Sequence, residues 1–334
     1  MKFKRLEAAR GLAAVYVLLH HAVPRGTMLF GLPIAWLFRF GQEAVILFFL
    51  LSGFVIAYSV SVRAQTTGHY FKARLVRIFT PLIPVFALAY GVQCLLAGHL
   101  IGPDLPGLAG NLFMLQDLTN LPGAITAPYM NDNPLWSLSY EWWFYMAFIP
   151  LMRVKRPSII VFSAAALAAA AYPWFPHWTL RVVFHMAIWW TGYLAAKGWL
   201  AGRLSPKIVL PLVGVTAVLA ASILISRVGY HGAGAFPVLE IRHLATGAAF
   251  MAGAFAWRQL KWVGFNQTVG LFAVIAPVSY GLYIVHHPLL QLASVWGQSV
   301  GLLPATIAAI ALAFALAWLL EVKLYRWVKK ALKA

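Results

Sequence analysis

The sequence predicts an all-α integral membrane protein of about ten transmembrane helices, with both termini cytoplasmic. Three observations carry this reading. The 334-residue chain is 62% hydrophobic and only 10% charged, against about 25% charged in ordinary soluble domains. Such a chain has too little polar surface to cover a water-soluble globule. Its apolar residues fall into runs of spanning length, about 20 residues each. Its basic residues, which give a formal charge of +18, alternate in density from one connection to the next.

The spans fall at about 8–24, 34–60, 78–97, 137–152, 158–173, 181–196, 208–226, 242–257, 269–290 and 303–322. The segments 137–152 and 158–173 are the shortest. With the N-terminus placed in the cytoplasm, cytoplasmic connections hold twenty Lys and Arg. The opposite side holds five: Arg25, Arg39, Arg181, Arg227 and Arg242. This bias accounts for most of the charge as a topology signal, so nucleic acid is not implied. The opening MKFKR resembles a signal-peptide start. Glu7 and Arg10 interrupt the run after it, so the first helix is read as uncleaved. The single Cys94 excludes an intramolecular disulfide and a cysteine-rich metal site. No metal site is expected. The longest connection, 98–136, is too short for a domain of its own, so residues 1–334 read as one transmembrane domain with no appended soluble domain.

Chemistry-bearing residues punctuate these runs. In the first, RGLAAVYVLLHH, Arg10 and His21 stand 11 residues apart. That is about 20° past three turns and about 16 Å along the axis, so both lie on one face. Arg10 has an alternative role as a snorkelling cation beside Glu7, and His21 as an interfacial residue. Ionisable groups at membrane depth point to function. In the second run, Ser52-Gly53 permits either tight helix packing or the approach of a ligand chain. Arg74 and Arg77, three apart, form either a topology anchor or a pair of guanidinium forks for phosphate. In NPLWSLSYEWWFY, Glu141 enters an aromatic helix with no adjacent cation and requires a partner from elsewhere. In SYGLYIVHHP, Tyr283 and His286 share a face. The tryptophans around Trp136 suit sugar stacking or an interfacial belt.

Taken together, LEAARGLAAVYVLLHHA, FFLLSGF, RLVRIFTP, LWSLSYEWWFY and SYGLYIVHHP resemble, in order and over nearly the whole chain, the motifs of the integral-membrane acyltransferase-3 family. Ala8 and Ala9 replace the frequent Gly and Leu, and Ile83 stands where tyrosine often follows the arginine pair. Neither change removes a proposed chemical group. The resemblance implies an O-acyltransferase. It would move an acyl group, by default acetyl, from cytoplasmic acyl-CoA to a hydroxyl of a saccharide or lipid-linked glycan at or across a bacterial inner membrane. Acyl-CoA is then a donor substrate, and no permanently bound cofactor is implied. His21 would be the general base or a transient acyl carrier, with Glu141 orienting it. Arg10, Arg74, Arg77, Ser52, Gly53, Trp136, Ser139, Tyr283 and His286 would bind donor or acceptor. Membrane lipids are the remaining expected partners, and the oligomeric state is left open. A transporter or flippase is the alternative function. The absence of an internal repeat weighs against it.

Overall fold

The computed structural model describes residues 3–28, 30–63, 66–229, 232 and 234–332. Lys2 and Lys333, both counted among the cytoplasmic cations, lie outside the described residues. Every apolar run is helical, and no strand occurs among the described residues. The helices are α1 Lys4–Ala22, α2 Gly41–Val62, α3 Thr67–Ala97, α4 Leu105–Leu112, α5 Trp136–Met152, α6 Pro157–Ala171, α7 Trp178–Leu200, α8 Leu210–Ser226, α9 Val238–Gln259, α10 Ser279–Val300, α11 Leu302–Trp318 and α12 Tyr325–Ala331. Five stretches are long and apolar enough to cross a bilayer on length and composition: Ile34–Val62, Thr67–Ala97, Pro206–Ser226, Val269–Val300 and Leu302–Ala331. The surface agrees with a lipid environment. Leu167, Leu224, Leu303 and Val274 are among the large apolar side chains left exposed, the reverse of what water selects.

Three elements differ from the sequence expectation. α3 starts at Thr67, eleven residues before the expected span. Thr66 caps it, its side chain accepting from the His69 N–H, and nothing in HYFKARLVR breaks a helix. Arg74 and Arg77 therefore sit inside a helix of 31 residues, about 46 Å long, and not at its mouth. The run 269–290 divides into a 3-10 segment, Val269–Val278, and α10. Pro277, which cannot donate to the helix ladder, lies at the division. The last run turns into one π segment, Leu319–Leu324. Such local widenings concentrate at functional sites, and this one carries Glu321.

α2 packs along α7, and α1 lies between α2 and the Val269–Val278 segment. The α2–α7 approach is reciprocal and very close. A Cβ added at Gly53 would stand 2.0 Å from the Trp189 carbonyl oxygen, and one at Gly192 2.0 Å from that of Leu50. Only glycine permits this contact. Gly53 thus joins two helices, and the ligand approach considered for it is replaced by packing. One end of the bundle gathers both chain ends. Phe3 packs on Tyr58, with ring centroids 4.6 Å apart. Lys72 Nζ donates to the Leu332 carbonyl at 2.6 Å.

Candidate active site

At that end, α1, α2, α3, α5 and α10 surround a cavity of about 300 Å3. Arg10, Ser52, Arg74, Arg77, Glu141 and Tyr283 all line it, together with Ser137, Tyr145, Tyr280 and Tyr325. Six of the eleven residues singled out in the sequence therefore converge on one space, from five helices. A second cavity of about 360 Å3 shares Arg74 and Tyr325 with the first, and Arg63, His69 and Lys329 line it further toward the chain ends. Arg74 and Tyr325 stand between the two, so a basic vestibule adjoins the chamber.

The three arginines differ in how well they are satisfied. Arg77 is paired with Glu321, which also accepts from the Gly281 N–H at 2.9 Å. Tyr280 and Tyr325 flank the Arg77 guanidinium at 5.3 and 5.1 Å from their ring centroids. Arg10 Nη2 donates to the Ala276 carbonyl at 2.9 Å, a carbonyl at the edge of the 3-10 segment, but Arg10 Nε is buried without a partner. Arg74 lies over the Tyr70 and Tyr145 rings, 5.8 Å from each centroid, and its buried Nε also lacks a partner. Neither has a carboxylate partner among the described residues. A buried donor without an acceptor is costly.

Glu141 accepts from the Tyr145 hydroxyl, which also pairs with Ser52 Oγ at 2.9 Å. Ser52 Oγ in turn accepts from Trp189 Nε1 at 3.2 Å. No hydrogen bond joins Glu141 to His21 among the described residues, so the predicted base–orienter pair is not formed. His21 instead meets His286. His286 Nδ1 faces the Leu282 carbonyl at 3.1 Å, and its Nε2 lies 3.2 Å from His21 Nδ1. His21 Nδ1 also lies 2.9 Å from the Val17 carbonyl. Carbonyls only accept, so both imidazoles carry their proton on Nδ1. The Nε2 lone pair of His21 then has no hydrogen-bond partner among the described residues. Tyr283 links the chamber to this pair. Its ring lies 6.1 Å from that of His286, and its hydroxyl pairs with Ser137 Oγ at 2.8 Å while donating to the Pro134 carbonyl at 2.6 Å. His286 is thus a positioning residue for His21; neither imidazole lines the chamber itself, and Tyr283 stands between them and it.

Two expectations are displaced. Trp136 is 4% exposed and stacks on His243 at 5.7 Å, leaving no face for a sugar ring. Ser139 is fully buried and its hydroxyl lies within donating distance of the backbone carbonyls of Gln116 and Trp136, at 2.7 and 2.8 Å. Both brace α5. Neither lines the chamber.

Other groups at the site were missed. Glu321 was visible as the one acid in the last apolar run. Asp132, in the connection before α5, is fully buried with both carboxylate oxygens unpartnered, and lies 3.8 Å from His287 Nδ1. Burial pushes its carboxyl well above the ordinary range. A second buried network centres on Arg181, which the charge pattern places on the outer side and which is fully buried in α7. It pairs with Asp117 and also donates to the Pro122 carbonyl at 2.6 Å and the Tyr172 hydroxyl at 2.9 Å. Arg242, likewise placed on the outer side, pairs with Glu43.

The fold and site define an all-helical integral membrane protein with an arginine-rich chamber between its helices and a histidine pair beside it. The profile of the Acyl_transf_3 family, an acyltransferase domain, matches residues 3–322, and the chain belongs to that family. A stretch of 139 residues is 31% identical to the acyltransferase MdmB of Streptomyces mycarofaciens. The match spans 39% of this chain and 34% of that relative. No solved structure matches.

Proposed function

We propose that this acyltransferase moves an acyl group, by default acetyl, from acyl-CoA to a hydroxyl of a saccharide or lipid-linked glycan at the membrane. The observation that carries the donor assignment is the basic vestibule adjoining a chamber lined by two incompletely satisfied arginines. Coenzyme A is a polyanion on a long, thin pantetheine arm. Arg63, Lys329 and Arg74 suit its phosphates, since guanidinium forks bind phosphate oxygens in pairs. Arg10 is set deeper and suits the arm or the thioester carbonyl. On this reading the end holding both chain termini faces the cytoplasm, as the distribution of basic residues favours.

His21 is the base. Its proton sits on Nδ1, held by Val17 and shared with His286, so Nε2 is free to take the acceptor hydroxyl proton. The hydroxyl oxygen then attacks the thioester carbonyl, the carbon–sulfur bond breaks, and the proton returns to the departing CoA thiolate. Glu141 acts through Tyr145 and Ser52. This chain of hydroxyls fixes the chamber wall beneath Arg74, so its role is to hold the donor site rather than to orient the base.

The test is release of CoA thiol by purified protein in nanodiscs, supplied with acetyl-CoA and a glycan pool. Acceptor-stimulated release in the parent, lowered by about 10²–10⁴-fold in His21→Ala with donor affinity retained, is expected. Full turnover in a folded His21→Ala protein would overturn the assignment of the base. Absence of thiol release from the parent under all acceptors would overturn the transferase reading.

A further inference from the structure

A cavity larger than the chamber lies elsewhere in the bundle. It is a groove of about 1000 Å3 among α1, α2, α7 and α9, at the upper end of the range for ligand sites, about 300–1,000 Å3. Its walls are apolar, with Leu47, Phe54, Phe250 and Met251 among them. Four cations line it near the chain end: Lys4, Arg5, Arg258 and Lys261. No Asp or Glu lines it, and none of the four cations is in an ion pair among the described residues. Leu6 and Leu51 line both the groove and the chamber, so those side chains separate the two spaces.

The cationic end is held in place by the backbone. Lys261 and Trp262 adopt successive left-handed conformations, with φ of 52° and 60°. This is costly for residues other than glycine. The turn sets the Trp262 ring under the Arg5 guanidinium, 4.6 Å from the centroid, and Lys4 Nζ donates to Asn266 Oδ1 at 3.2 Å. Arg5 thereby keeps a fixed position without a carboxylate to neutralise it.

We propose that this groove is a binding site for an anionic membrane phospholipid, its acyl chains along the apolar walls and its phosphate-bearing headgroup against Arg5, Arg258 and Lys261. Charge complementarity selects the occupant. An apolar slot alone would accept any lipid, whereas several unpaired cations at its mouth favour a net negative headgroup. The assignment is independent of the reaction carried out in the chamber.

The experiment is native mass spectrometry of protein released from nanodiscs made of equal phosphatidylglycerol and phosphatidylcholine. The parent should retain phosphatidylglycerol with at least about fivefold enrichment, the effect of one interfacial cation. Arg5→Gln/Arg258→Gln/Lys261→Gln should retain both lipids equally. Gly253 lines the groove, and a Cβ there would meet nothing within 4 Å. Gly253→Leu should therefore fold with an unchanged Tm in phosphatidylcholine discs yet lose the retained lipid. Equal retention of the two lipids by the parent would overturn the proposal, as would unchanged enrichment in the triple variant. Displacement of the lipid by one equivalent of palmitoyl-CoA would overturn it in favour of the donor's acyl chain as occupant.

Discussion

Two arginine clusters lie inside this bundle, and they are built on opposite terms. Around Arg181, all three guanidinium nitrogens are satisfied: Nε donates to Asp117 Oδ2 at 2.7 Å, Nη2 to the same carboxylate, and Nη1 to Pro122 and Tyr172. Its side chain and that of Asp117 are both 0% exposed. Arg10 and Arg74 both line a cavity, and each has a buried Nε without an acceptor. A satisfied buried network ties elements together and leaves nothing for a ligand. An unsatisfied one carries a free-energy cost that a bound anion relieves. On the proposed function, the same residue type is thus architecture in one place and a receptor in the other. Arg77 is intermediate, since it borders the chamber but is paired with Glu321.

The sharpest way to break the comparison is to remove the architectural cation. Arg181→Leu strands Asp117 as a buried charge and should cost about 3–5 kcal/mol. It should be read as a large fall in Tm or as loss of monodisperse protein. The double variant Arg181→Leu/Asp117→Leu should recover much of that loss. A single variant as stable as the parent would show that the network is not structural.

Arg77 sharpens the comparison. Arg77→Ala leaves Glu321 buried and unpaired, so it should lower Tm, by about 1–3 kcal/mol of stability. Arg77→Ala/Glu321→Gln should restore stability while donor dependence remains near that of the parent. A raised donor KM in the double variant would move Arg77 to the receptor class.

The smallest effect concerns Asp132. Its carboxyl keeps its proton to higher pH in the folded protein than in the unfolded chain. The folded state therefore binds more protons over that interval, and stability falls as pH rises from the ordinary carboxylate range through the raised value. Asp132→Asn cannot ionise, so its thermal stability should vary less with pH across that window. Thermal unfolding from acid to neutral pH tests this. An identical pH profile in parent and variant would contradict it.

The helices were legible because apolar runs and their polar punctuation are local properties. Arg10, Arg74, Arg77 and Glu141 stood out for the same reason, since each charge interrupts an apolar stretch. Their partners were not legible. Glu321 meets Arg77 across 244 residues, and His286 meets His21 across 265, distances at which no local pattern survives. The pairing of Glu141 with His21 was inferred from need for a partner, and Tyr145, one turn on, met that need locally. Trp136 and Gly53 were misassigned for a related reason. A tryptophan face or a bare glycine shows in sequence that contact is possible, and only packing shows that Trp136 contacts His243 and that Gly53 contacts α7.

If an unsatisfied arginine marks the donor site, removing it must weaken the donor and leave the fold intact. The most direct measurement is the Kd of CoA for the parent and for Arg74→Ala in detergent or nanodiscs. Binding by the parent is expected, with a loss of about 10–100-fold in Arg74→Ala, the effect of one charge-assisted hydrogen bond, and an unchanged Tm. Equal affinity in the two proteins, or no binding by the parent, would contradict it.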